Sequence, residues 1–302
     1  MALLALAIVA SVAAGVWAER RYGAAADRLT RRILDAMLYA ALPFVVFFVL
    51  ARAELTAGAG IGLLLGYAAL AVAGLAAYGL ATRVLRLPVA TAAMVVVATI
   101  MGNTGYFGAP VVATLLGREE LGAAITYDAL VGGPTFFIVA FAVAAAMTTR
   151  GQAPGLRLRT YLVRNPPLIA VAAALVAPDA LAPDVLVDIA RAVVLGLAPL
   201  GFFVAGVQLA AERTGLAPRL SAPVGSVVGL RMGVGPLVLL GFAAATAVDV
   251  PDAYLLQVAM PVGVNSLVVA HAYDLDRGLA ASAFAWTTAL ALALALAAGA
   301  LT

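Results

Sequence analysis

The sequence predicts an all-α polytopic membrane protein, and three observations carry the prediction. Of the 302 residues, 65% are hydrophobic and only 11% are charged, with a mean hydropathy of +1.10. Apolar stretches long enough to cross a hydrocarbon core of ~30 Å recur along the whole chain. The charged residues fall between those stretches with a strong bias in sign and spacing. The same composition excludes other classes. With no cysteine and a single histidine, disulfides, thiolate sites and His-rich metal sites are excluded, and no cofactor or metal is expected. The 18 basic residues are all arginine and leave a net charge of +3. In so apolar a chain this excess sets topology and does not bind nucleic acid.

Taken in order, the first expected span is 2–18. It has no basic residue before it and Arg20 and Arg21 after it. A signal peptide has the reverse charge order, so a retained helix with its N-terminus outside is expected. A basic loop through Arg32 leads to span two, 34–51, with Pro43 in its middle. Spans three, four and five cover 57–81, 89–116 and 121–147. Asn165-Pro166-Pro167 opens span six, 167–176, which is short. Spans seven to ten cover 189–211, 224–248, 253–273 and 279–301.

Charge supports this threading. Alternate loops hold fourteen arginines on one side, and only Arg52, Arg118 and Arg191 on the other. The richer side is cytoplasmic by the positive-inside rule, so both termini lie outside a cell inner (plasma) membrane.

The two halves, 1–149 and 150–302, resemble each other. Leu42-Pro43 followed by Phe47-Phe48 matches Ala198-Pro199 followed by Phe202-Phe203. A Gly/Asn/Pro interruption occurs in span four at Met101–Pro110 and again in span nine at Pro261–Ser266. Asn103 and Asn265 are 162 residues apart, close to a five-span repeat. Five is odd, so a duplicated unit inserts upside down. Inverted repeats with matched interrupted helices point to a secondary transporter with its site at the membrane midplane.

Each break yields two half-helices. Pro110 suits the first position of a new helix, where its missing N–H is no loss, and a second half-helix opens near Asn265 and Ser266. Two positive helix ends then converge and favour a carboxylate. The candidate substrate-binding residues are Asn103, Thr104, Gly105, Pro110, Pro261, Asn265 and Ser266. Carbonyls freed by the prolines, those of Tyr106 and Gln257, are alternative cation ligands.

Ionisable residues within spans are costly and therefore candidates for function. Arg231 in span eight is a counter-charge for the anion or snorkels to the interface. Asp128 in span five carries a coupling proton or pairs with Arg231. His271 near the cytoplasmic end of span nine is a second candidate for proton coupling, against an interfacial role. Gln208 and Tyr127 are further polar contacts.

The run Gly102–Pro110, the Asn165-Pro166 opening, Ala259-Met260-Pro261 and Ala270-His271-Ala272-Tyr273 resemble the auxin efflux carrier family. Plant members of that family export auxin; bacterial relatives are assigned to malate, malonate and similar carboxylates. The fold is shared with bile-acid sodium symporters. The resemblance implies a scaffold of spans one, two, six and seven, through which relatives dimerise. It implies a transport domain of spans three to five and eight to ten that moves as an elevator. The expected function is therefore secondary transport of small organic anions within membrane lipid, coupled to protons or uncoupled. The alternative is a sodium symporter of bile-acid type, with Gln257 as a candidate ligand. A channel would need a continuous polar pore and a receptor a soluble output domain. An enzyme would need a paired-acid, Ser/His or metal-ligand constellation, which the sequence does not offer.

Overall fold

A computed structural model describes residues 2–51, 60–149, 152–211, 218 and 220–299. Arg52, Arg150, Arg213, Arg219 and the first residues of the third expected span lie outside the described residues. Among the described residues the regular structure is helical, apart from one antiparallel bridge between Gly102 and Val262.

Helix α1 (Ala2–Tyr22) ends at Gly23, whose positive φ of 49° turns the chain. Helix α2 (24–51) starts earlier than the sequence suggested. The basic segment expected to be a loop is its first three turns, with Ala26, Thr30 and Leu34 buried on one face and Arg28, Arg31 and Arg32 exposed. Helix α3 (Gly60–Val84) leads to α4 (Val89–Ile100) and α5 (104–115). Then come α6 (Leu121–Thr148), α7 (Pro154–Val163), α8 (Pro166–Val176) and α9 (Asp184–Ala211). The last four are α10 (Ala222–Thr246), α11 (Asp252–Val258), α12 (Ser266–Ala272) and α13 (Arg277–Gly299). By length and composition α3, α6, α10 and α13 can each cross a membrane. The chain is thus a multi-pass membrane protein. Leu6, Leu64, Leu75, Leu237 and Leu294 are exposed, as expected of side chains that meet lipid.

Prolines inside the long helices have a common solution. A proline leaves the carbonyl four residues earlier unpaired and presses its ring against it. Four of them, Pro43, Pro110, Pro134 and Pro236, follow directly on a widened π turn: Met37–Ala41, Thr104–Gly108, Asp128–Gly132 and Leu230–Val234. In each, the residue just before the proline donates five residues back, to Met37, Thr104, Asp128 or Leu230. The extra residue moves the ring away from the carbonyl it would strike. Such π turns concentrate at functional sites, and three of these four carry Thr104, Asp128 and Arg231.

Helices α1, α2, α8 and α9 pack on one another. The closest approach is between α1 and α9. A Cβ on Gly15 would strike the Phe203 carbonyl, and one on Gly206 would strike the Val12 carbonyl. Small residues let membrane helices touch backbone to backbone, where lipid supplies no hydrophobic drive for association. Gly206→Val should therefore lower stability by at least ~1–3 kcal/mol, the usual cost of overpacking. Gly225→Ala, which points into open space, should not. The midpoint of thermal unfolding in detergent reads the difference.

The centre belongs to the short helices. In α4 every residue from Ala92 to Ile100 is buried, as is Ser266–Ala270 in α12. At 1.5 Å per residue α4 is ~18 Å long. That is shorter than a hydrocarbon core of ~30 Å.

Candidate functional site at the helix crossing

Where α4 ends, the chain runs extended through Met101 and Gly102 before turning into α5. Between α11 and α12 it does the same through Pro261, Val262 and Gly263. The two extended pieces lie antiparallel. The Asn103 N–H donates to the Pro261 carbonyl at 2.7 Å, and the Gly263 N–H donates to the Met101 carbonyl at 2.9 Å. The Val262 N–H donates to Thr287 Oγ1 of α13 at 3.0 Å. An interrupted helix in lipid must satisfy its freed backbone groups within the protein. Here the two interruptions satisfy each other. Glycine is required at the contact: a Cβ on Gly263 would lie 3.0 Å from the Gly102 carbonyl oxygen, and one on Gly102 would overlap the Arg231 guanidinium.

Four helix ends meet at this point. The C-termini of α4 and α11 bring partial negative charge, and the N-termini of α5 and α12 bring partial positive charge. Arg231 lies across the negative pair. It is 3% exposed. Its Nε donates to the Met260 carbonyl at 2.9 Å, and its Nη1 to the Thr99 and Ile100 carbonyls, each at 3.3 Å. It does not snorkel to an interface. Two of its three nitrogens are committed to backbone at the ends of both interrupted helices, which gives it a capping role.

The positive pair opens at Asn103 and Asn265. The first half-helix restarts at Thr104, not at Pro110 as the proline suggested, because the π turn Thr104–Gly108 precedes it. Pro110 sits two turns further from the crossing. Neither asparagine caps its own helix with its side chain. Asn103 Nδ2, Asn265 Oδ1 and Ser266 Oγ are buried without a hydrogen-bond partner. The exposures of Asn103 and Ser266 are 3% and 0%. Buried polar atoms are almost always paired, so three orphans on two adjacent helix N-termini mark a place where a polar ligand can bind. Tyr106, which the sequence did not single out as a side-chain contact, faces both Asn265 and Asp128.

The remaining candidates divide. Asp128 accepts a hydrogen bond from Thr104 Oγ1 beside Gly105 and makes no pair with Arg231 among the described residues. Gln257 is fully buried, and its Nε2 donates to the Thr104 carbonyl at 3.1 Å and the Ala124 carbonyl at 3.0 Å. It ties α11 to α5 and α6, and its own carbonyl accepts from the Met260 N–H at 3.3 Å. His271 lies away from the crossing, with Nε2 2.8 Å from an Asp35 carboxylate oxygen on α2. Gln208 is near Asp27, also away from the crossing. Tyr127 is packed against Tyr254, with ring centroids 5.4 Å apart. Thr287 was missed; a hydroxyl in an apolar helix can serve its own carbonyl four residues back, and Thr287 also donates to the Ala283 carbonyl, so sequence does not tell the two uses apart.

These features define a class: a multi-pass helical membrane protein whose two discontinuous helices are joined through their backbones, an arrangement known from transporters. Residues 159–297 match the family model described as a membrane transport protein. That stretch holds α8 to α12 and most of α13. The first interruption lies outside the matched residues. The comparison with curated proteins gave no match.

Proposed function

We propose that this membrane transporter is a secondary carrier of small organic anions, with the substrate carboxylate held between the N-termini of α5 and α12. The observation that carries the proposal is the asymmetry of the crossing. Arg231 covers the two negative helix ends, while the two positive ends present unpartnered Asn103 Nδ2 and Ser266 Oγ. Both are donors to a carboxylate. A helix end contributes about 0.3–1 kcal/mol to an anion, up to ~2 when partly buried. Two such ends hold an anion weakly enough for it to be released.

The chain is read as ten spans in two inverted repeats, 1–149 and 150–302, in a cell inner membrane with both termini outside. Helices α1, α2, α8 and α9 form the scaffold and the dimer contact. The remaining spans form a transport domain that carries the crossing through the membrane as an elevator. The mutual packing of those four helices supports this division.

The test is uptake into proteoliposomes of a panel of carboxylates and their amides, with proton and sodium gradients applied separately. Carboxylates should be taken up and amides not; preference for the amides would sink the proposal. Sodium-driven uptake would select the bile-acid type of coupling. Topology is checked by single cysteines at Leu29, Gln152 and Ala180, all exposed. Only Ala180 should react with an impermeant reagent in intact cells. Reaction at Gln152 would reverse the orientation.

A further inference from the structure

Asp128 stands on the positive end that the substrate is proposed to use. Its Oδ1 accepts from Thr104 Oγ1, the first residue of α5. A Cβ built on Gly105 would lie 3.0 Å from its Oδ2, and one on Gly132 would lie 2.8 Å from its Oδ1. The carboxylate is therefore seated closely between α5 and its own helix, with Thr104 as its donor. Tyr106 faces it and Asn265 together. No charged side chain acts on it among the described residues, and Arg231 is committed to the carbonyls of Thr99, Ile100 and Met260. A second carboxylate arriving at Asn103, Asn265 and Ser266 would share the same half-helix end with no cation to offset the pair. Like charges at one buried site disfavour joint ionisation.

We propose that Asp128 and the substrate anion compete for this end of α5, so that the anion binds only to protein protonated on Asp128 and one proton travels with each monocarboxylate. The proposal rests on the anion reading above. The proton enters from the aqueous side onto Oδ2, since Oδ1 is held by Thr104, and leaves to the opposite side as the anion departs. The carrier is then a proton–anion symporter, and the cycle moves no net charge on the substrate–Asp128 pair.

Other titratable groups near Asp128 do not mimic this behaviour. Tyr106 on α5, Tyr127 beside it, and Tyr67 from α3, which donates to the Leu130 carbonyl, are phenols and stay neutral at ordinary pH. His271 lies away from the crossing and pairs with Asp35 on α2.

The experiment is equilibrium binding of acetate, benzoate and phenylacetate, with their amides, to purified protein between pH 5.5 and 8.5. Simple carboxylic acids titrate near 4, so the ligands stay ionised throughout and any pH dependence belongs to the protein. Calorimetry in two buffers of different ionisation enthalpy counts protons. Wild type should lose affinity by up to tenfold per pH unit above the Asp128 midpoint and take up close to one proton per anion. Asp128→Asn should bind with flat pH dependence and take up none. Asp128→Glu should keep the slope with a moved midpoint, and His271→Gln should keep the wild-type profile. Wild-type binding that is flat with pH overturns the proposal while leaving the anion reading intact, as does a slope that survives in Asp128→Asn or is lost in His271→Gln. Binding of amides in preference to all three anions overturns the anion reading itself.

Discussion

Arg231→Gln should unfasten the crossing and abolish transport. The guanidinium serves three carbonyls at the ends of α4 and α11. Each buried acceptor left without a donor costs about 1–3 kcal/mol, and lipid offers no replacement. The charge also offsets two helix C-termini, at about 0.3–1 kcal/mol or more each. Against a total stability of about 5–15 kcal/mol, typical of folded domains, such a loss is large. The midpoint of thermal unfolding in detergent should fall by many degrees, and carboxylate and amide ligands should lose affinity alike. Arg231→Lys keeps the charge but not the planar fork, so an intermediate midpoint is expected. If the midpoint holds and only the carboxylate is lost, Arg231 contacts the substrate directly and its capping role is secondary.

Asn103→Ala should have the opposite profile: folding intact, transport lost. Its backbone N–H holds the bridge to Pro261 and survives the substitution. Its side-chain Nδ2 has no partner within the fold. If that donor serves the substrate, its removal costs about 1–3 kcal/mol of binding, roughly ten- to hundredfold in affinity. Ser266→Ala, which removes the other unpartnered donor, should behave similarly. Binding to the purified variants, with thermal midpoints measured beside it, separates the two effects. An unchanged affinity in Asn103→Ala would remove the crossing from the substrate site.

Much of this was legible in the sequence because membrane physics leaves few options. Apolar runs specify helices, and an apolar chain with Gly102, Asn103 and Gly105 at the same depth must bury an interruption. Polar residues at matched positions, Asn103 and Asn265, marked the place where it happens. Other features could not be read locally. Pro110 looked like a helix start, yet helix α5 begins six residues earlier, because the π turn Thr104–Gly108 runs directly into the turn that holds the proline. Arg231 looked like a counter-charge; its commitment to backbone follows from where α4 and α11 end relative to α10. Asp128 seemed able to pair with Arg231, but the fold brings it to Thr104 instead.

By itself the sequence determined that the chain is helical, lies in a membrane and breaks two of its helices. The cause is the cost of exposing peptide groups or charges to hydrocarbon, a local cost that each stretch meets alone. The tertiary structure alone decided how the broken ends are satisfied: which carbonyls Arg231 caps, which hydroxyl meets the Val262 N–H, and which polar atoms stay free. Those outcomes depend on the relative placement of segments 25 to 132 residues apart in the chain. A hydrogen bond depends on distances and angles that no single segment contains.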